Sequence, residues 1–184
     1  MTTQVIKQIQ DVKYRQCTKC VLDTNDDPSM TFDIDGVCNY YHQYLETAGK
    51  YLPNAKQRDA LLEQKIAEIK KDGKGNDYDV VVGLSGGVDS TYVALLAKQF
   101  GLRVLGVHLD NGWNSELAVK NIESIVTKLD IDLFTYVIDW EEFRDIQIAF
   151  LRASVVDIEV VSDHAIFATL FHQAGKHNIS HILS

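Results

Sequence analysis

The three valines Val80 to Val82 run directly into Gly83-Leu84-Ser85-Gly86-Gly87-Val88-Asp89-Ser90, and a helical pattern follows from Ser90. A wholly apolar strand that empties into a glycine-rich turn and then a helix constrains the fold strongly. Such a strand is buried on both sides only in a parallel sheet with helices packed on each face. The same alternation continues down the chain. Apolar runs over Asp79–Leu84, Val104–Leu109, Leu133–Ile138 and His181–Leu183 read as strands, and helical spacing covers Ser90–Phe100, Ser115–Leu129, Trp140–Leu151 and Asp163–His177. The expected fold class is α/β, a doubly wound parallel sheet over residues 77–184.

Two segments precede this sheet. Residues 1–52 hold Cys17, Cys20 and Cys38, many turn-forming residues and the aromatic group Tyr40, Tyr41 and Tyr44, which reads as a small irregular module. Residues 53–76 read as a packing helix and linker, with the stripe Leu61, Leu62, Ile66 and Ile69 ending at Asp72-Gly73-Lys74-Gly75-Asn76. At the other end, His181-Ile182-Leu183-Ser184 is a strand with no helix to cover it. The expectation is that the sheet domain is truncated there, with part of its site beyond Ser184.

Charge and cysteine usage narrow the classes. A formal net charge of -8 argues against a nucleic-acid backbone as the main partner, because phosphate contacts need clustered Lys and Arg. No apolar run approaches the roughly 18 residues of a membrane span, and the first ten residues lack a signal-peptide core. The chain therefore reads as cytoplasmic, with no membrane partner. Three cysteines, an odd number confined to the first 38 residues, point in that setting to metal or thiol chemistry before disulfides.

The loop after the first strand has the chemistry of an anion cradle. Gly86 and Gly87 allow close backbone approach and positive φ, a helix N-terminus offers unpaired N–H groups, and Ser85 and Ser90 add hydroxyls. Asp89 repels bare phosphate, so its presence implies a bridging Mg²⁺. The spacing fits neither a Walker loop, which needs Lys before Ser90, nor G-x-G-x-x-G. The plainer reading is a tight turn with Asp89 as a cap. SGGVDS resembles the PP-loop of the ATP pyrophosphatases, which cleave ATP between its α and β phosphates. Ser85, Gly86, Gly87, Val88, Asp89 and Ser90 are then the phosphate-binding residues. At the end of the second strand lies Asp110-Asn111-Gly112-Trp113-Asn114, where a ribose or base sits in such sheets. The resemblance adds His108 to Asp110 as adenine contacts through the strand backbone. His108 reads equally well as a core or strand-edge histidine, and Asn114 as an N-cap.

From Gly83 to Ser184 the sequence resembles the N-acetyl sugar amidotransferase family, through GLSGGVDSTY, VHLDNGWNSELAVKNIE, YVIDWEEFRDIQIAFLRASVVDIE, SDHAIFATLF and the final ILS. CTKCVLDTNDDPSMTFDIDGVCNYY resembles that family's cysteine module. The resemblance implies that a sugar acetamido oxygen is adenylated by ATP and then replaced by ammonia from a partner glutaminase. The product is an acetamidino sugar for surface polysaccharide such as O-antigen. Asp163 and His164, with Ser162 as N-cap of their helix, are the expected contacts to the sugar or attacking group. Glu116, Trp140, Glu141 and Glu142 are weaker candidates that a solvated helix face explains as well. Two other readings stay open: a PP-loop enzyme that thiolates tRNA, and a nucleotide-binding fragment without activity.

The cysteine module departs from the family pattern, which has a second C-x-x-C where this chain has Cys38-Asn39-Tyr40-Tyr41. A structural zinc takes four ligands. The reading adopted is zinc held by Cys17, Cys20, Cys38 and His42. A weak metal site, a metal-free packing unit and an iron–sulfur cluster stay open beside it.

Overall fold

Strand β1 (Val80–Gly83) lies inside a four-stranded sheet of order β3-β2-β1-β4 in which every pairing is parallel. This is seen in a computed structural model that describes residues 13–184; the first twelve residues of the 1–52 module lie outside the described residues. β1 pairs with β2 (Val104–Asp110) from Val80 opposite Val104 to Gly83 opposite Val107. On its other side it pairs with the short β4 (Ile182–Leu183), and β2 carries β3 (Asp132–Val137) at the far edge. The chain thus moves outward from β1 to β3 and then returns across β1 to place β4. That reversal creates a crevice at the carboxyl ends of β1 and β4, the place where open α/β sheets take ligands.

Alternation of side chains along the strands explains why both faces are covered. Val80, Val82, Leu84 and Val104 point to one face, where they pack with Ile69 of α2 (Ala55–Asp72), Ala94 and Ala97 of α3 (Val88–Gln99) and Ile125 of α4 (Glu116–Leu129). Val81, Leu105 and Val107 point to the other and meet Leu170 and Ala174 of α6 (Val160–Lys176), together with Ile179. Val80, Val81 and Val82 are wholly buried, and each contributes about 1.5–3 kcal/mol by leaving water. The doubly wound α/β fold expected from the sequence is the fold observed.

An ion pair between a buried carboxylate and a half-exposed guanidinium closes the amino-terminal end of this sheet. The Asp79 carboxylate, 5% exposed, accepts from the Arg103 backbone N–H at 2.8 Å and from its guanidinium. Arg103 also donates to the carbonyl of Gly73 at 2.7 Å and to that of Asn76, so one side chain ties the 73–76 turn to the starts of β1 and β2.

Three local expectations are corrected. β3 is not covered on both faces: Leu133, Tyr136 and Val137 are exposed, because it is an edge strand bonded only to β2. The last long helix begins at Val160, so Ser162 is buried within its first turn and is not the N-cap; Glu159 occupies that position without a side-chain cap bond. Val160 and Val161 line a groove beside Phe143 of α5 (Trp140–Arg152). The cysteine segment is not wholly irregular either, since α1 (Asn39–Tyr51) carries Tyr40, Tyr41 and Tyr44 on helical spacing.

By compactness the chain divides into Met1–Ala60 and Leu61–Ser184. The core of the first unit is Cys17, Met30, Val37 and Cys38, with Cys20, Leu22, Phe32 and Tyr41 packed around them. Among the described residues no helix is long and apolar enough to cross a membrane.

Candidate functional site

A cavity of about 410 Å³ opens at the carboxyl ends of β1 and β2. The loop supplies Ser85, Asp89 and Ser90; the end of β2 supplies His108, Leu109, Asn111 and Asn114; α6 supplies Ile166, Phe167 and Leu170. Asp89 is the one carboxylate lining it among the described residues. A single carboxylate beside a phosphate-sized cradle suits Mg²⁺, which keeps most of its ligands as water and phosphate oxygens.

The loop is held in shape before any ligand arrives. Gly86 has φ of +77°, and a Cβ there would lie 2.4 Å from the Ala118 carbonyl oxygen of α4, so only glycine fits. Asn121, one turn further along α4, donates from Nδ2 to the Gly86 carbonyl at 3.0 Å. Within the loop, the Ser85 and Ser90 hydroxyls are 3.1 Å apart, the Gly87 N–H donates to Ser85 Oγ, and Thr91 Oγ1 donates to the Gly87 carbonyl at 2.6 Å. Gly87 is the N-cap of α3 and has no side chain to cap it. The first-turn amides therefore face outward without a side-chain acceptor, as an anion site requires. Asp89 sits in that first turn and does not act as the cap.

The His108 side chain is held by two neighbours at the cavity wall. It is buried, with Nδ1 2.8 Å from the Leu84 carbonyl oxygen. A carbonyl only accepts, so Nδ1 carries the proton, and Nε2 is left to accept from Asn114 Nδ2 at 3.2 Å. Asn114 also donates to Asp110 Oδ1 at 3.0 Å. The N-cap of α4 is Ser115, whose hydroxyl accepts from the Ala118 N–H, so Asn114 is not the cap. Its amide bridges His108 and Asp110 instead. Asp110 turns to Asn114 and to the Gly112 N–H, and does not line the cavity.

Gly86, Gly87 and Val88 line a separate cleft of about 420 Å³ between α3 and α4, with Asn121 and Lys128. Asp163 and His164 are not brought into the loop cavity. They line a neighbouring pocket with Val160, Ala168 and Phe171, which shares Phe167 with the cavity. The cause is helical spacing: Ile166, Phe167 and Leu170 occupy the stripe of α6 that faces the loop. Of the weaker candidates, Trp140 packs edge-on against Trp113 at 5.5 Å between centroids, and Glu116 is an exposed partner of Lys120. Asn121 and Ala118 were not singled out in the sequence. Their signal was slight, a polar side chain and a small one on the half-buried side of an amphipathic helix.

In the first unit, Cys17, Cys20 and Cys38 bring their sulfurs together, all within 4.8 Å of one another. Cys17 Sγ accepts from the Lys19 and Cys38 N–H groups at 3.4 and 3.3 Å, and Cys38 Sγ accepts from the Tyr41 N–H at 3.4 Å. Burial pushes the Cys17 thiol up, but the Cys38 and Lys19 N–H groups and the adjoining thiols more than offset it, bringing it from 9.0 to about 6. For Cys20, the Leu22 N–H favours the thiolate, while burial and the two other sulfurs win and raise it. This donor set fits a soft divalent metal. His42 does not join it: its Nε2 lies 2.7 Å from Asp33 Oδ2, and that carboxyl is held below its usual range by the Val37 N–H and by His42.

A profile of the family described as NAD synthase matches residues 55–153, more than half of the chain. The chain belongs to the NAD synthase family. The matched segment contains the loop and the β2-end cluster and stops before Asp163 and His164. A glutamine-hydrolysing GMP synthase of Thermosipho africanus is 38% identical over 91 residues, 49% of this chain and 17% of that protein. A tRNA-specific 2-thiouridylase MnmA of Ureaplasma parvum serovar 3 is 37% identical over 73 residues, 30% of this chain and 19% of that protein. Among solved structures, the NH3-dependent NAD synthetase of Campylobacter jejuni superposes with a TM-score of 0.47 at 20% identity, covering 67% of this chain and 54% of that one. The chain thus spans under a fifth of the length of these two curated relatives. It is an NAD synthase-like domain of the PP-loop ATP pyrophosphatase superfamily.

Proposed function

We propose that the protein is an ATP-dependent amidotransferase that converts the N-acetyl group of a nucleotide-linked sugar into an acetamidino group. The observation that carries this reading is the cavity in which Ser85, Asp89 and Ser90 of the loop face His108, Asn111 and Asn114 at the end of β2. A neighbouring pocket shares Phe167 with it and presents Asp163 and His164. The β and γ phosphates lie on the loop and the first turn of α3, where amides and hydroxyls hold the departing pyrophosphate. Asp89 would hold a Mg²⁺, which would supply neutralisation of the phosphate charge. Adenosine extends toward the end of β2, which His108 and Asn114 keep rigid. The acceptor sugar occupies the pocket of Asp163 and His164.

The chemistry balances in two steps. The acetamido oxygen bonds to the α-phosphorus as the bond to the β-phosphate oxygen breaks, releasing pyrophosphate. Ammonia then adds to the activated carbon, and AMP departs with the former amide oxygen. The protein acts mainly by positioning and charge stabilisation, because adenylation supplies the leaving group. Every cysteine belongs to the trio at 17, 20 and 38. Ammonia comes from a glutaminase in the cytoplasm, in keeping with a relative named for glutamine hydrolysis. Cys17, Cys20 and Cys38 would hold a zinc ion that would support the first unit.

The thiouridylase likeness favours a second reading, sulfur transfer to tRNA. One experiment separates the two: release of pyrophosphate and AMP from ATP, with ammonia and a panel of nucleotide-linked diacetamido sugars in parallel with unmodified tRNA. Release that depends on a sugar is expected. Release that depends on tRNA alone contradicts the proposal.

A further inference from the structure

A closed structural zinc has four protein ligands in a tetrahedron, and this chain brings three. The Cys20 and Cys38 sulfurs are 3.7 Å apart. A tetrahedron built on metal–sulfur bonds of about 2.3 Å has an edge of about 3.8 Å, so the pair already stands at ligand spacing. The separation is far beyond the ~2.05 Å of a disulfide bond. Backbone N–H groups at 3.3–3.4 Å from the sulfurs of Cys17 and Cys38 fix their orientation.

Among the described residues the fourth corner has no candidate. Tyr41, three residues after Cys38, directs its N–H to the Cys38 sulfur, and its ring lies against the apolar residues around the trio and near Tyr44. His42 is engaged with Asp33. No other His, Asp or Glu among the described residues belongs to the group of three. Cys17 and Cys38 are buried and Cys20 is half-buried, so Cys20 is the member that solvent reaches.

We propose that Cys17, Cys20 and Cys38 form a soft-metal site with three protein ligands whose fourth position is filled by an exchangeable ligand from solution. Such a site binds zinc less tightly than a four-thiolate site and admits a small donor such as an imidazole, as open zinc sites do. Tyr41 is the residue that leaves the corner open, since a cysteine at that position completes the second C-x-x-C.

Cobalt titration of the metal-free full chain, followed by absorption spectroscopy, tests this without reference to ATP chemistry. Thiolate-to-cobalt charge-transfer bands are expected, together with visible d–d bands that shift when free imidazole is added. His42→Ala should leave the spectrum unchanged. Tyr41→Cys should add a fourth thiolate, remove the response to imidazole and tighten binding about ten-fold or more. A wild-type spectrum that imidazole does not move, a spectrum altered by His42→Ala, or no charge-transfer band at all overturns the proposal. Should Tyr41→Cys fail to fold, the imidazole titration and His42→Ala decide the matter alone.

Discussion

Gly86 is under the strictest conformational demand in the loop, because its positive φ and its approach to Ala118 each exclude a side chain. Gly86→Ala should cost about 1–3 kcal/mol and weaken ATP binding, read as a lower urea midpoint and a reduced fluorescent-ATP titration. Asp89→Asn tests a different property of the same loop. It should leave the urea midpoint in place and lower Mg²⁺-dependent pyrophosphate release by at least about 100-fold. Unaltered release in that variant removes Asp89 from the mechanism. The loop was legible in the sequence as a candidate because Ser85 to Ser90 are contiguous. His108 was ambiguous there for a physical reason: its part is fixed by the Leu84 carbonyl, 24 residues away in sequence and adjacent only across two strands. Asp163 and His164 were legible as polar residues near a helix start. Which stripe of the helix faced the loop depended on where that helix began.

The helix α4 acts on the loop as a backing, through Asn121 and Ala118. Asn121→Ala should raise the KM for ATP while costing only about 0.5–1.5 kcal/mol in stability, the worth of one hydrogen bond. An unchanged KM would show that the loop keeps its shape without that contact. At the opposite edge of the sheet, burial of Asp79 favours its neutral form, but the bonds and charge of Arg103 prevail and lower its pKa below the ordinary 3.8. A carboxyl lowered on folding contributes stability that is present above the unfolded value and is lost as pH falls through the folded one. The stability gap between the native chain and Asp79→Asn should therefore be constant near neutrality and shrink below about pH 4, as denaturant midpoints across pH will show. A gap independent of pH would mean that the carboxylate charge contributes nothing. The alternation of strands and helices was readable because periods of 2 and 3.6 are local. The exposure of β3 was not, since Leu133 to Val137 look as apolar as a central strand, and only the strand order puts them at an edge.

At the scale of the whole molecule, the β3-β2-β1-β4 order brings the loop, the end of β2 and one stripe of α6 to a single crevice. The fold class followed from the sequence because a wholly apolar strand before a glycine-rich turn has few other ways to be buried. The surroundings of Asp163 and His164 did not follow, because their pocket is a tertiary product of α6 and its shared Phe167 wall. The net charge of -8 is compatible with a small anionic substrate only if the positive end of α3 and a bound cation offset it locally. ATP binding should therefore depend steeply on Mg²⁺. The most direct test is ³¹P NMR of ATP turnover by the protein with Mg²⁺, ammonia and a nucleotide-linked diacetamido sugar. AMP and pyrophosphate in equal amounts, with neither formed by Asp89→Asn, are the expected products. ADP and orthophosphate would contradict a pyrophosphatase site at this loop.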